Sequence, residues 1–300
     1  MPEPFPHILN VISPEADALA GPLRALAAEY GAAAGEVAWL APAHAFDIPF
    51  FDWPADVLAA ARAAAGEIAA DINVVPAAHR RKKLLVADME STIIDVEIVD
   101  ELAEFAGCRA KIAAITERAM RGEIEFEPAL RERVGLLKAL PVDVLEHVYR
   151  ERVRLNPGAR ELVATMRAHG ALAMLVSGGF SFFTERVARD CGFDRWRSNR
   201  LVIDDGNLTG EVAQPILGRA AKLRALEETA AELNIGLADT LAVGDGANDL
   251  AMIERAGLGV AWHAKPILAR AAAAIITHGD LAALLYLQGY CKDEILESCP

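Results

Sequence analysis

The spacing of apolar residues along the chain changes character near residue 83, and the two halves predict different folds. In the first, "HILNVI" (7–12) reads as a strand. From Glu15 to Tyr30 apolar residues recur three and four apart, the face of an amphipathic helix, with Ser13-Pro14 as its start signal. "EVAWL" (36–40) reads as a second strand, Ala55 to Ala70 as a second helix led by Pro54, and "INVVP" (72–76) as a closing strand. Residues 1–78 thus predict a small α/β unit, and nothing in it clusters into a catalytic set.

From Lys83 onward, short apolar runs alternate with helical patterns, which predicts a parallel sheet with helices on both faces. The clear strands are 84–87, 171–177, 240–245 and 258–262. Ligands of such sheets lie at the carboxyl ends of the strands. The first three ends read Asp88, Ser177 and Asp245. Residues 98–155 are mainly helical and too long for an ordinary crossover, so they predict a separate cap over the strand ends. "LVIDDGNLTGEV" (201–212) predicts a hairpin turning at Asp205-Gly206-Asn207. The expected division is an N-terminal α/β domain (1–78), a core from 79–97 and 156–300, and a cap at 98–155.

Composition narrows the function classes. At 53% apolar and 24% charged residues the chain can bury a full core. A net charge of −13 and a pI near 5.0 exclude a general nucleic-acid binder, which needs a basic face. The one basic cluster, His79-Arg80-Arg81-Lys82-Lys83, reads as a solvated linker. Cys108, Cys191, Cys291 and Cys299 are scattered without metal-type spacing, which suggests a reducing compartment. "MPEPFPHILNV" lacks the basic start and long apolar stretch expected of a signal peptide, and no run approaches the ~18 apolar residues of a membrane span. A cytoplasmic protein with no membrane partner is expected. Trp196 and Trp262 read as core or packing residues, and no histidine receives a role.

A buried strand ending in acids is costly unless the acids meet a metal, a ligand or solvent. "DMEST" (88–92) is such an end. Taken singly it reads equally well as a strand terminus before a capped helix. "SGGF" (177–180), read as opening a helix, is either an N-cap with flexible glycines or an anion site. "GDGAND" (244–249) is a turn if it stands alone, and Lys222 a solvated side chain. Together they supply two carboxylates on different strands, Asp88 and Asp245, a hydroxyl with backbone donors at Ser177 to Gly179, and a cation. Metal-assisted phosphoryl transfer requires that set. Oxygen ligands without His or Cys point to Mg²⁺.

In order and context, D-M-E-S-T, S-G-G, a helical lysine and G-D-G-A-N-D resemble the haloacid dehalogenase-like phosphohydrolases, and among them the phosphoserine phosphatases. "ELAEFAG", "ITERAMRGEIEFEPALRERVGLLKALP", "LTGEV" and "AKPIL" extend the likeness over about residues 83–290. The resemblance implies a Rossmann-like core and Mg²⁺-dependent hydrolysis of O-phospho-L-serine, the last step of serine biosynthesis. It implies Asp88 as nucleophile, forming an aspartyl-phosphate, and Glu90 as general acid–base. It implies Mg²⁺ on Asp88, the Glu90 backbone carbonyl and Asp245, with Asp249 a further acid beside them. Ser177, Gly178, Gly179, Lys222 and Asn248 would hold the phosphate. Glu97 would take the substrate ammonium, Arg133 its carboxylate, and Met120 and Phe126 would shield the pocket, while Arg131 remains a surface neighbour. Related enzymes often carry an ACT-type module at the N-terminus, with which the first 78 residues are loosely compatible. Serine feedback or a homodimer through it is left open.

One residue departs from the pattern. The family's first motif is usually D-x-D-x-T, and the second Asp is here Glu90, one methylene longer. A related phosphoserine phosphatase/homoserine phosphotransferase branch carries Asp-x-Glu. Besides the phosphatase, two readings remain: action on another small phosphomonoester or transfer to an acceptor such as homoserine, and a catalytically impaired regulatory protein.

Overall fold

In the computed structural model, which describes residues 5–29, 34–51, 56–121, 123–218 and 220–297, the larger sheet has six parallel strands. They are β5 (Leu84–Ala87), β6 (Leu172–Phe180), β7 (Arg195–Asn199), β10 (Thr240–Gly244), β11 (Leu258–Trp262) and β12 (Ala274–Ile276), in the order β12-β11-β10-β5-β6-β7. Every residue of β5, β10 and β11 is buried. Helices on both faces cause this, and it is why these strands read as unbroken apolar runs. Leu85 and Ala87 face a core shared with α7 (Ala159–Ala168), α8 (Ser181–Cys191) and α12 (Ala283–Leu287). Leu84 and Val86 face the opposite core with α9 (Ala220–Glu232), α10 (Leu250–Arg255) and α11 (Pro266–Ala269). Because β5 lies between β10 and β6, the ends carrying Asp88, Asp245 and Ser177 are neighbours.

The segment between β5 and β6 holds α3 (Ile98–Phe105), α4 (Arg109–Met120), α5 (Phe126–Gly135) and α6 (Val142–Arg152) ahead of α7. The hairpin β8 (Leu201–Asp204) and β9 (Asn207–Val212) hydrogen-bonds to the α5–α6 connection through Ala139 N–H to the Leu208 carbonyl at 2.8 Å and Val142 N–H to that of Gly206 at 3.0 Å.

The N-terminal sheet contains β1 (His7–Ile12), β2 (Ala38–Ala41), β3 (Ala45–Phe50) and β4 (Asp71–Pro76) in the antiparallel order β2-β3-β1-β4. Helices α1 (Ala16–Glu29) and α2 (Val57–Ala65) cover one face, where Leu9 and Val11 meet Leu19, Leu23 and Ala61. Ile8, Ile12, Ala45 and Val75 on the other face join the main core. The unit is thus packed into the rest of the chain. The expected second helix stops at Gly66, whose φ of +58° a helix cannot continue, and its first residue, Ala55, lies outside the described residues.

Three expectations are corrected. The cluster 79–83 is not a solvated linker. The Arg80 guanidinium grips the buried Asp47 carboxylate at 2.6 and 2.8 Å and donates to the Leu287 carbonyl at 2.9 Å. Lys82 is buried and donates to the Ala238 carbonyl at 2.7 Å. Second, β6 continues through Ser177-Gly178-Gly179 to Phe180, and α8 begins only at Ser181, so "SGGF" does not open a helix. Third, Trp196 is 42% exposed on β7, the edge strand, so it is no core residue. Cys108, Cys191 and Cys291 are free thiols, and Cys299 lies outside the described residues. No helix among the described residues is long and apolar enough to cross a membrane.

Candidate active site

Leu84 to Ala87 are held in register between β10 and β6, and the next backbone N–H, that of Asp88, donates to the Val243 carbonyl at 3.0 Å. This last rung fixes Asp88 at the edge of a cavity of about 650 Å³ between the sheet and the helices α3–α5. Asp88 Oδ1 accepts from Met89 N–H at 2.7 Å and pairs with Lys222 Nζ at 2.6 Å. Among the described residues Oδ2 has a single long hydrogen bond, from Asn248 Nδ2 at 3.4 Å. One oxygen is anchored and the other is nearly free.

Lys222 reaches this point from α9 and also pairs with Asp249 Oδ1 at 2.6 Å. Burial alone would lower its pKa, but Asp249 and Asp88 outweigh that and raise it, so the ammonium stays charged. Asp88, Asp245 and Asp249 each offer an oxygen within 4.8 Å of the others. Burial, reinforced by the Asp88 charge, raises the Asp245 pKa and pushes that of Asp249 up to about 7. The site therefore carries more negative charge than Lys222 offsets. An all-oxygen donor set with surplus negative charge fits a hard divalent cation such as Mg²⁺.

Glu90 lies on the opposite side of Asp88's strand end. Its Oε1 accepts from Ile98 N–H at 2.9 Å, and its Oε2 accepts from Ser177 Oγ–H at 3.3 Å. Desolvation, then the neighbouring Glu97 charge, pushes its pKa up to about 8, so the carboxyl is protonated at neutral pH. Gly179 is dictated by this acid: a Cβ there would stand 2.7 Å from Glu90 Oε2 and 3.0 Å from Ser177 Oγ. The Gly179 N–H donates to Ser177 Oγ at 2.8 Å.

Glu97, just ahead of α3, accepts from Ser91 Oγ–H at 2.8 Å, and burial raises its pKa. Arg133 of α5 lines the same cavity; burial lowers its pKa, and the nearby carboxyl groups of α3 and its approach, Glu97 and Asp100, oppose that shift. Phe126, the first residue of α5, also lines it, and a Cβ on Gly178 would stand 3.3 Å from the ring. Met120 closes α4, but its side chain lies outside the described residues. Among the described residues Arg131 pairs only with Glu127, on the exposed surface. The other predicted residues meet around the strand ends.

Lys265 and Asp100 line the cavity as well and were missed from the sequence. Lys265 stands three residues past the end of β11, within "AKPIL", and its place at a strand end was the available signal. Asp100 lies on the first turn of α3 among other acids, and nothing in its spacing distinguishes it.

Comparison with known proteins shows what the chain is similar to. A sequence profile of the haloacid dehalogenase-like hydrolase family matches residues 85–254. A phosphoserine phosphatase of Archaeoglobus fulgidus is 48% identical over 206 residues, which are 69% of this chain and 60% of that protein. One from Polaromonas sp. is 49% identical over 210 residues, 68% of this chain and 89% of that protein. The chain thus spans less than two thirds of the first relative's length and most of the second's. A solved HAD family hydrolase from Salmonella enterica serovar Typhi superposes with a TM-score of 0.83 at 30% identity, covering 94% of this chain and 97% of its own.

Proposed function

We propose that this chain, which belongs to the haloacid dehalogenase-like hydrolases, hydrolyses O-phospho-L-serine to L-serine and phosphate. What carries the reading is one cavity that holds the Asp88/Glu90 pair together with a carboxylate, Glu97, and a guanidinium, Arg133. A phosphorylated amino acid needs both: Glu97 for its ammonium and Arg133 for a two-pronged grip on its carboxylate. The relatives' own activity supports the same substrate.

In the first step Asp88 Oδ2, the freer oxygen, bonds to phosphorus while the bond from phosphorus to the serine oxygen breaks. Glu90, protonated at neutral pH, gives its proton to that oxygen. In the second step water attacks phosphorus and passes a proton to Glu90, and the Asp88 oxygen leaves as carboxylate. The enzyme returns to its starting state. Ser177, the Gly178 and Gly179 amides, Lys222 and Asn248 orient the phosphoryl group, and Phe126 with the cap excludes water. Mg²⁺, held by Asp88, Asp245 and the Glu90 backbone carbonyl, would supply the charge neutralisation that phosphoryl transfer needs.

The test is phosphate release by purified protein across L- and D-phosphoserine, phosphothreonine and a sugar phosphate, with Mg²⁺ and then with EDTA. Release from L-phosphoserine that EDTA abolishes is expected. A preference for the sugar phosphate would refute the roles of Glu97 and Arg133, and no release from any substrate would refute the enzyme reading.

A further inference from the structure

The three clustered carboxylates are matched by two ammonium groups of very different character. Lys222 bridges Asp88 and Asp249 from within, with 5% of its side chain exposed. Asp245 faces Lys265, whose Nζ stands 3.5 Å from Asp245 Oδ2 with 56% of the side chain exposed. We propose that Lys265 is a displaceable counter-ion of the metal site, neutralising Asp245 until Mg²⁺ arrives and opposing its entry, so that this lysine sets the protein's metal affinity. The inference rests on Asp245 being a metal ligand, as argued above.

The backbone of Lys265 is held from several sides, unlike that of an incidental surface lysine. Its N–H donates to the Asp245 carbonyl at 2.9 Å, and Pro266 starts α11 directly after it. Just upstream, His263 N–H donates to the Ile276 carbonyl at 2.8 Å and Trp262 Nε1–H to that of Gly279 at 3.3 Å. Gly279 N–H is in turn held by Asp71 Oδ2 at 2.7 Å. The root of the side chain is therefore fixed while its head is in solvent.

These placements divide the work between the two lysines. A buried ammonium cannot leave without stranding its carboxylates. An exposed one exchanges its partner for water at little cost. With three carboxylates and two lysines the metal-free cluster carries a net charge of about −1, and a divalent cation reverses it. A positive charge a few ångströms from the entering cation opposes it by roughly tenfold in affinity at the dielectric of a partly exposed site.

Calorimetric titration of Mg²⁺ into the full chain, in low salt near pH 8, tests this with wild type, Lys265→Gln and Lys265→Arg. The Gln variant is expected to bind Mg²⁺ about tenfold more tightly, and the Arg variant within about twofold of wild type. The gap should close in ~0.5 M salt, because an exposed charge is screened there. Equal or weaker binding by Lys265→Gln, or tightening that salt leaves untouched, would overturn the proposal while leaving the metal site standing. Absence of Mg²⁺ binding by wild type would overturn both.

Discussion

Glu90 shows how much one methylene changes at the scale of a residue. The longer side chain reaches Ile98 N–H with one oxygen and the Ser177 hydroxyl with the other, and its pKa is lifted to about 8 by burial and Glu97. In the proposed mechanism it is the acid of the first step. Glu90→Gln keeps the shape but cannot deliver a proton, so kcat should fall about 10³-fold while KM changes little, measured by steady-state phosphate release. Gly179→Ala probes the same acid from its neighbour. The added methyl would lie 2.7 Å from Glu90 Oε2, so the carboxyl must move and kcat should drop on the order of 10²-fold. A melting temperature within a few degrees of wild type would separate this displacement from unfolding. Asp88 and Asp245 were legible because each directly follows an apolar strand, and Ser177 because the apolar run of β6 stops there although the strand goes on to Phe180; β5 lies between the other two strands. The charge states were not legible, since they depend on groups brought together from distant segments.

At the scale of the element, the tie between the N-terminal sheet and the core adds charged and polar side chains on backbone groups to the shared apolar face. Asn73 of β4 gives and takes a hydrogen bond with the Ile275 backbone, at 2.9 and 2.8 Å, along the open edge of β12. Asp71 accepts from the Thr277, His278 and Gly279 amides. Asp71→Ala leaves three amides without that acceptor and should cost roughly 2–3 kcal/mol in denaturant unfolding. Arg80→Ala strands the buried Asp47 and should cost about 3–5 kcal/mol. Lys82 contributes a pH signature, because burial lowers its pKa to about 8. Between pH 8 and the ordinary lysine value the unfolded chain binds more protons, so this group's burden on stability is full below pH 8 and fades above it. Lys82→Met should therefore raise stability more at about pH 7 than at about pH 10, as chemical denaturation at the two values would reveal. The strands with unbroken apolar runs were readable, but β3, "AFDIPF", was not. Its alternation is interrupted by Pro49 and by Asp47, which is buried where Arg80, 33 residues away, and Asn10 both bind it. β7, with four arginine or polar residues among five, and the three-residue β12 show too weak a pattern to find.

For the whole molecule, the N-terminal unit lends one sheet face to the main core and its polar side chains to the catalytic sheet's edge. We expect a chain beginning at Arg80 to expose Tyr286 and its neighbours and to melt at least 10 °C below the full chain, as calorimetry would measure; about 1 kcal/mol lost corresponds to a few degrees at this size. An unchanged melting temperature, with unchanged activity and mass, would make the unit dispensable for stability, feedback and dimerisation alike. The core's chemistry is tested most directly by acid-quenching the enzyme within its first turnover of radiolabelled O-phospho-L-serine. Wild type should carry a base-labile label on the protein, located at Asp88 by peptide mapping, and Asp88→Asn should carry none and release no phosphate. Continued turnover by Asp88→Asn, or full turnover by wild type with label never found on the protein, would contradict nucleophilic attack by Asp88.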